Sequence, residues 1–158
     1  MKEKILYIKE KEELAPNYIN ELNNCEVYNL EGITFSEKHT NLIRYMRYKR
    51  YTFLIASGAT SVHPMMITGP VKILINPIIL DLQTAEEYKI REKFDFYLDM
   101  CYDTQNEFDN FALFTNNEDI NIVKFKQLFR YNHLFIVNTI NLCHVIEDIN
   151  TTYKENKI

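Results

Sequence analysis

Six short apolar runs punctuate this chain, with helix-period segments between them, and that alternation limits the possible folds more than any other feature. The runs are Ile5–Ile8, Cys25–Leu30, Thr52–Ala56, Val71–Ile75, Phe111–Thr115 and Leu134–Val137. Each is too short for a buried helix and is rich in branched or aromatic residues, so each reads as a strand. Tyr18, Ile19 and Leu22 recur at helical spacing in the stretch from Pro16 to Asn23. Leu42, Ile43 and Met46 do the same in a segment that Ser36 could cap and that runs to about Lys49. Further helical segments are expected just after Gly58, from Thr84 to Met100, from Asn121 to Tyr131 and after His144. Strands that alternate with helices over short connections favour a parallel sheet, because parallel neighbours need crossover helices and those helices cover both faces.

The expected fold is therefore α/β: a single three-layer α/β/α domain with a mostly parallel sheet of about six strands. At 158 residues the chain suits one such domain, spanning 1–158, with one well-buried core. No Gly/Ser linker, internal repeat or low-complexity block divides it, although the polar stretch from Asp99 to Asn110 reads as a loop.

Composition narrows the function classes. A formal net charge of −4 gives no electrostatic case for nucleic acid or an anionic membrane. Cys25, Cys101 and Cys143 are an odd, scattered set, which argues against a disulfide framework and a zinc site. With no long apolar run and no apolar leader at Met1–Ile5, a reduced, cytoplasmic protein is expected, with no metal and no cofactor. One basic-aromatic run, Arg44, Arg47, Lys49 and Arg50 interleaved with Tyr45, Tyr48 and Tyr51, could hold a phosphate or an acidic partner. A solvated helix face is the simpler reading of it.

In an open α/β sheet ligands sit at the carboxyl ends of the strands. Here those ends carry Ser57-Gly58-Ala59-Thr60-Ser61, then Asn76-Pro77, then Asn116 to Asp119, then Asn138 to His144. Small hydroxyls, an acid and a histidine follow one another in the order Ser…Asp…His. The segment Leu54-Ile55-Ala56-Ser57-Gly58-Ala59-Thr60-Ser61 has the strand–turn–helix form of a nucleophile elbow, G-x-S-x-G. Ala56 and Thr60 fill its two glycine positions, and Gly58 fills the position of the nucleophile.

Taken in order, FLIASGATS, Ile73-Leu74-Ile75-Asn76-Pro77, Asn117-Glu118-Asp119-Ile120 and Leu142-Cys143-His144 resemble the elbow, strand end, acid loop and histidine of the α/β-hydrolase superfamily. The likeness is nearest to small bacterial esterases of the YqiA type and spans roughly residues 3 to 150. It implies a compact hydrolase-like fold, with Ser57, Asp119 and His144 as the candidate catalytic residues. His144 would be the general base and Asp119, or Glu118 in a shorter loop, would orient it. Ser57 would serve as nucleophile only if the turn shifted by one residue.

Each of these residues also has a structural reading. His144 could be a surface residue before a helix, Asp119 a cap for the helix at Asn121, and Thr60 and Ser61 caps of the short helix. His63-Pro64 reads as packing or turn chemistry. Departures from the family are large: Lys9-Glu10-Lys11 stands where the esterases carry His-Gly for the oxyanion hole. The resemblance thus implies a pseudo-hydrolase whose scaffold binds or assembles. It would hold a small molecule in the strand-end crevice or contact a protein partner or a second copy of itself. The alternatives are an active serine esterase acting on acyl esters and a flavodoxin-like binding module. Phe94 to Phe108 would form a lid, a cover for the sheet or a dimer contact.

Overall fold

Predominantly apolar runs can be buried on both faces, and three of the strands are. A computed structural model describes residues 3–81, 109–129 and 133–153. β1 (Ile5–Lys9), β4 (Val71–Ile75) and β5 (Asn110–Phe114) are buried along their whole length, and β3 (Phe53–Ser57) along all but its last residue. β2 (Cys25–Asn29) and β6 (His133–Ile136) are only partly buried and form the two edges. The sheet order is β2-β1-β3-β4-β5-β6, and all five ladders are parallel. The α/β architecture expected from the alternation is the one observed.

Register decides which side chains share a face. Ile5, Phe53 and Val71 align across the sheet, as do Leu6, Leu54 and Lys72. The first face carries Ile5, Tyr7, Ile55, Ile73 and Leu113, covered by Ile19 of α1 (Asn17–Asn20) and by Leu142 and Ile146 of α5 (Leu142–Asp148). On the opposite face, Leu6, Leu54 and Ala56 pack with Leu42 of α2 (Phe35–Met46). Leu74, Ala112 and Phe114 of that face pack with Val62 and Met65 of α3 (Val62–Met65) and with Ile122 and Phe125 of α4 (Asn121–Leu128). Each fully buried Leu, Ile or Phe contributes roughly 1.5–3 kcal/mol through removal of apolar surface from water.

Element ends differ from the sequence expectation where capping chemistry intervenes. α2 begins at Phe35 because Thr34 caps it, its hydroxyl accepting from the Glu37 amide at 3.1 Å; Ser36 lies inside the helix. The Glu37 carboxylate reaches back to the Ile33 amide at 2.9 Å, a variant of the reciprocal capping box. Gly32 makes that turn possible: its φ is +133°, and a Cβ there would sit 2.9 Å from Glu37 Cβ. α5 begins before His144, with Asn141 as its cap. Its carboxyl end runs into a π-helical turn, Ile149–Tyr153. The helix expected from Thr84 to Met100, the loop from Asp99 and the aromatic segment Phe94 to Phe108 fall almost wholly outside the described residues.

The connection after β1 packs its helix on one face and the connection after β3 packs its helix on the other. The carboxyl ends of β1 and β3 therefore flank the topological switch point, where open α/β sheets hold their ligands. Among the described residues no helix is long and apolar enough to cross a membrane.

Candidate functional site

The elbow is present as geometry. Ser57 ends β3 in extended backbone, and a 3-10 turn, Gly58–Ser61, leads directly into α3. Gly58 has φ +58°, the left-handed conformation that glycine adopts at least cost. A Cβ built there meets nothing within 4 Å, so a side chain at this position would have room. Gly58 thus occupies a left-handed turn with open space where a side chain would stand. Thr60 and Ser61, expected as caps, make no capping bond; the Ser61 hydroxyl is fully buried with no hydrogen-bond partner.

The Ser57 hydroxyl lies 3.1 Å from the Tyr7 hydroxyl. Burial raises the pKa of Tyr7 and pushes that of Tyr18 up to about 12, so both phenols stay protonated. A protonated phenol cannot take the serine's proton, and among the described residues no base hydrogen-bonds Ser57.

Asp119 acts at the start of α4. Its Oδ1 accepts from the Asn121 backbone amide and from Asn121 Nδ2, both at 2.9 Å. The Glu118 amide donates to Asn116 Oδ1 in the same turn. His144 sits on the outer side of α5, its Nε2 3.3 Å from Asp148 Oδ2, with both side chains about two-thirds exposed. No two of Ser57, Asp119 and His144 bond each other; each has a partner of its own.

A different group of residues does converge. A cleft of about 600 Å³ opens at the carboxyl ends of β1 and β3 and at the start of α2, at the switch point. Glu10 and Glu13 line it from the loop after β1, Ile33 to Phe35 and Lys38 from α2 and its approach, and Ala59, Thr60, Val62 and His63 from the elbow and α3. The first of these loops is tied down from inside: buried Lys9 donates to the Glu13 carbonyl at 2.6 Å and to the Glu10 carbonyl at 3.2 Å. Lys38 closes against Glu10 at 3.0 Å, joining α2 to the same loop.

His63 stands in the wall of this cleft, 3% exposed. Its Nδ1 lies 3.0 Å from Nδ1 of His39, itself buried on α2. The Phe35 ring stacks on His63 with centroids 4.9 Å apart. Burial pulls His63 down to a pKa of about 3, helped by the neighbouring His39 and Lys38, and pulls His39 down to about 4. Both imidazoles are neutral near pH 7. They offer hydrogen bonds without charge, in a setting where Glu10 and Glu13 outnumber Lys38.

Sequence reasoning passed over this pair. His39 and His63 are 24 residues apart on different helices, so no motif spacing joins them. One signal existed: Phe35, His39 and Leu42 fall at i, i+4 and i+7 of one helix face, and helical spacing puts Leu42 on the buried side. The basic-aromatic run, by contrast, has structural partners. Tyr45 and Tyr51 donate to Glu26 Oε2 at 2.9 and 2.6 Å, and Lys49 lies 3.6 Å over the Tyr45 ring. These bonds, that from Tyr51 first, hold the Glu26 carboxyl below its ordinary pKa. Comparison of the chain with protein-family models, with curated proteins and with solved structures gives no match.

Proposed function

We propose that this protein is a non-catalytic ligand-binding module: a hydrolase-like α/β scaffold without its nucleophile, holding a small neutral or cationic molecule in the cleft beside the elbow. The observation that carries this reading is Gly58. A left-handed elbow position with open space around it and no functional group keeps the shape of a reactive site and lacks its chemistry. The Ser57–Tyr7 bond supports the same reading, since the adjacent serine has no base. A cleft of about 600 Å³ falls within the usual range for small-molecule sites, and its surplus of carboxylates disfavours phosphates and other anions. The reading assumes a reducing setting such as the cytoplasm, in keeping with the free thiols of Cys25 and Cys143.

The strand order up to β5 is that of flavodoxin-like sheets, which favours a second reading as a binding module unrelated to hydrolases. Both readings place the ligand at the same switch point.

An alkyl fluorophosphonate probe tests the absence of catalysis. The expected outcome is no covalent labelling of the native protein. Labelling at Ser57 that disappears in both Ser57→Ala and His144→Ala would establish the active esterase instead. Gly58→Ser restores a hydroxyl at the elbow position but no base, so this variant is also expected to remain unlabelled.

A further inference from the structure

We propose that His63, positioned by His39, is the hydrogen-bonding anchor of the cleft, and that it selects uncharged ligands bearing a hydroxyl or amide on an apolar ring or chain. This inference rests on the cleft being the ligand site.

One ring nitrogen of His63 is committed to His39, and the other has no hydrogen-bond partner among the described residues. His63 is 3% exposed and lines the cleft, so the free Nε2 belongs to a side chain with almost no access to bulk water. A ligand group that bonds this nitrogen gains a hydrogen bond in a setting largely screened from bulk water, where such a bond is stronger than at an open surface. Phe35, stacked on the imidazole, fixes the plane of the ring and offers an apolar surface beside it.

The geometry of the pair identifies what lies between the two rings. Their centroids are 5.2 Å apart and their planes differ by 15°. With the two Nδ1 atoms 3.0 Å apart, that centroid distance requires the rings to meet edge to edge, lone-pair direction against lone-pair direction. A metal held on that line at about 2.0–2.1 Å from each nitrogen would need them about 4 Å apart. A shared proton fits, in an N–H···N hydrogen bond of ordinary length.

That proton sets what the cleft sees. If His39 donates, His63 carries its own proton on Nε2 and donates to the ligand; if His63 donates, its Nε2 accepts from the ligand. A hydroxyl or a primary amide can satisfy either state. A carboxylate satisfies only the first and an ammonium only the second. Carboxylates also meet Glu10 and Glu13, while Lys38 is already engaged by Glu10. Neutral amphoteric groups are therefore the class that the site accepts in both of its states.

The test compares three ring compounds of one shape, p-cresol, toluene and p-toluate, on uniformly ¹⁵N-labelled native protein, read at the backbone amides and the histidine ring nitrogens. The expected result is that p-cresol shifts His63 Nε2 together with the amides of Phe35 and Thr60, and binds about tenfold more tightly than toluene, the worth of one buried hydrogen bond. p-Toluate should bind more weakly than p-cresol. His63→Phe should keep toluene binding and lose the preference, and His39→Phe should change the tautomer signature of His63. Equal binding of p-cresol and toluene in the cleft, with His63 Nε2 unmoved, overturns the anchor and leaves the cleft reading intact. Tighter binding of p-toluate overturns the ligand class. Absence of shifts at Phe35, Thr60 and His63 with all three compounds overturns the cleft reading itself.

Discussion

His63 and His144 are the same side chain in two settings, and the contrast separates a residue picked out by its position along the chain from one picked out by its burial. His144 follows the last strand, where a hydrolase would carry its base, yet it is exposed and pairs with Asp148 on its own helix. An exposed i,i+4 pair of that kind contributes little, because water screens it and both side chains give up conformational freedom. His63 looks like packing in the sequence, yet it is buried in a cleft wall, held in orientation by His39 and Phe35, and stripped of charge by desolvation. Position along the chain suggested the first histidine, and burial beside a cavity marks the second.

The largest test of this contrast is acid. Both histidines of the buried pair have folded pKa values below the ordinary 6.5, about 4 for His39 and about 3 for His63. Between those values and 6.5 the unfolded chain binds more protons than the folded one, so stability rises with pH across that window and is lost as pH falls through it. Each histidine contributes a slope of up to about 1.4 kcal/mol per pH unit. The two face each other, with Lys38 nearby disfavouring protonation and Glu10 and Glu13 in the same cleft. Denaturant titrations at pH 6.5 and at pH 4 are expected to differ by roughly 3 kcal/mol or more. His63→Phe should remove about half of that dependence, leaving the part due to buried His39, and His144→Ala should leave it unchanged. A flat native profile would mean that the pair is not buried neutral.

Ser57 gives a smaller effect that bears on the elbow. Ser57→Ala removes the partner of the buried Tyr7 hydroxyl and is expected to cost about 1 kcal/mol in a denaturant melt. The cost should appear in stability alone, with no ester hydrolysis to lose. The smallest expected effect is that of His144→Ala, within about 0.5 kcal/mol of native. A loss several times larger would show that the α5 histidine has a role its exposure does not reveal.

Much of the fold was legible. Each of the six strands overlaps its apolar run, since strands of a parallel sheet covered on both faces are mostly apolar, with Lys9, Lys72 and Asn110 as buried exceptions. The helix bounds were less legible, because Thr34 and Asn141 took the caps and moved the starts of α2 and α5. Asp119 illustrates the limit at the site. Either of its readings required a residue before Asn121, and only the contact with the Asn121 amide assigns it to the helix start. The His39–His63 pair was illegible for a stronger reason, as its two members come from helices on either side of β3.

The sequence by itself determined the alternation, the apolar runs and the glycine at the elbow, because each of these is a local property of neighbouring residues. It could not determine which side chains share a cavity. That depends on the strand order β2-β1-β3, which brings the loop after β1, the start of α2 and the elbow to one end of the sheet. Burial there, a property of the assembled fold alone, makes His63 a neutral hydrogen-bonding group, while the same imidazole at His144 stays exposed to water.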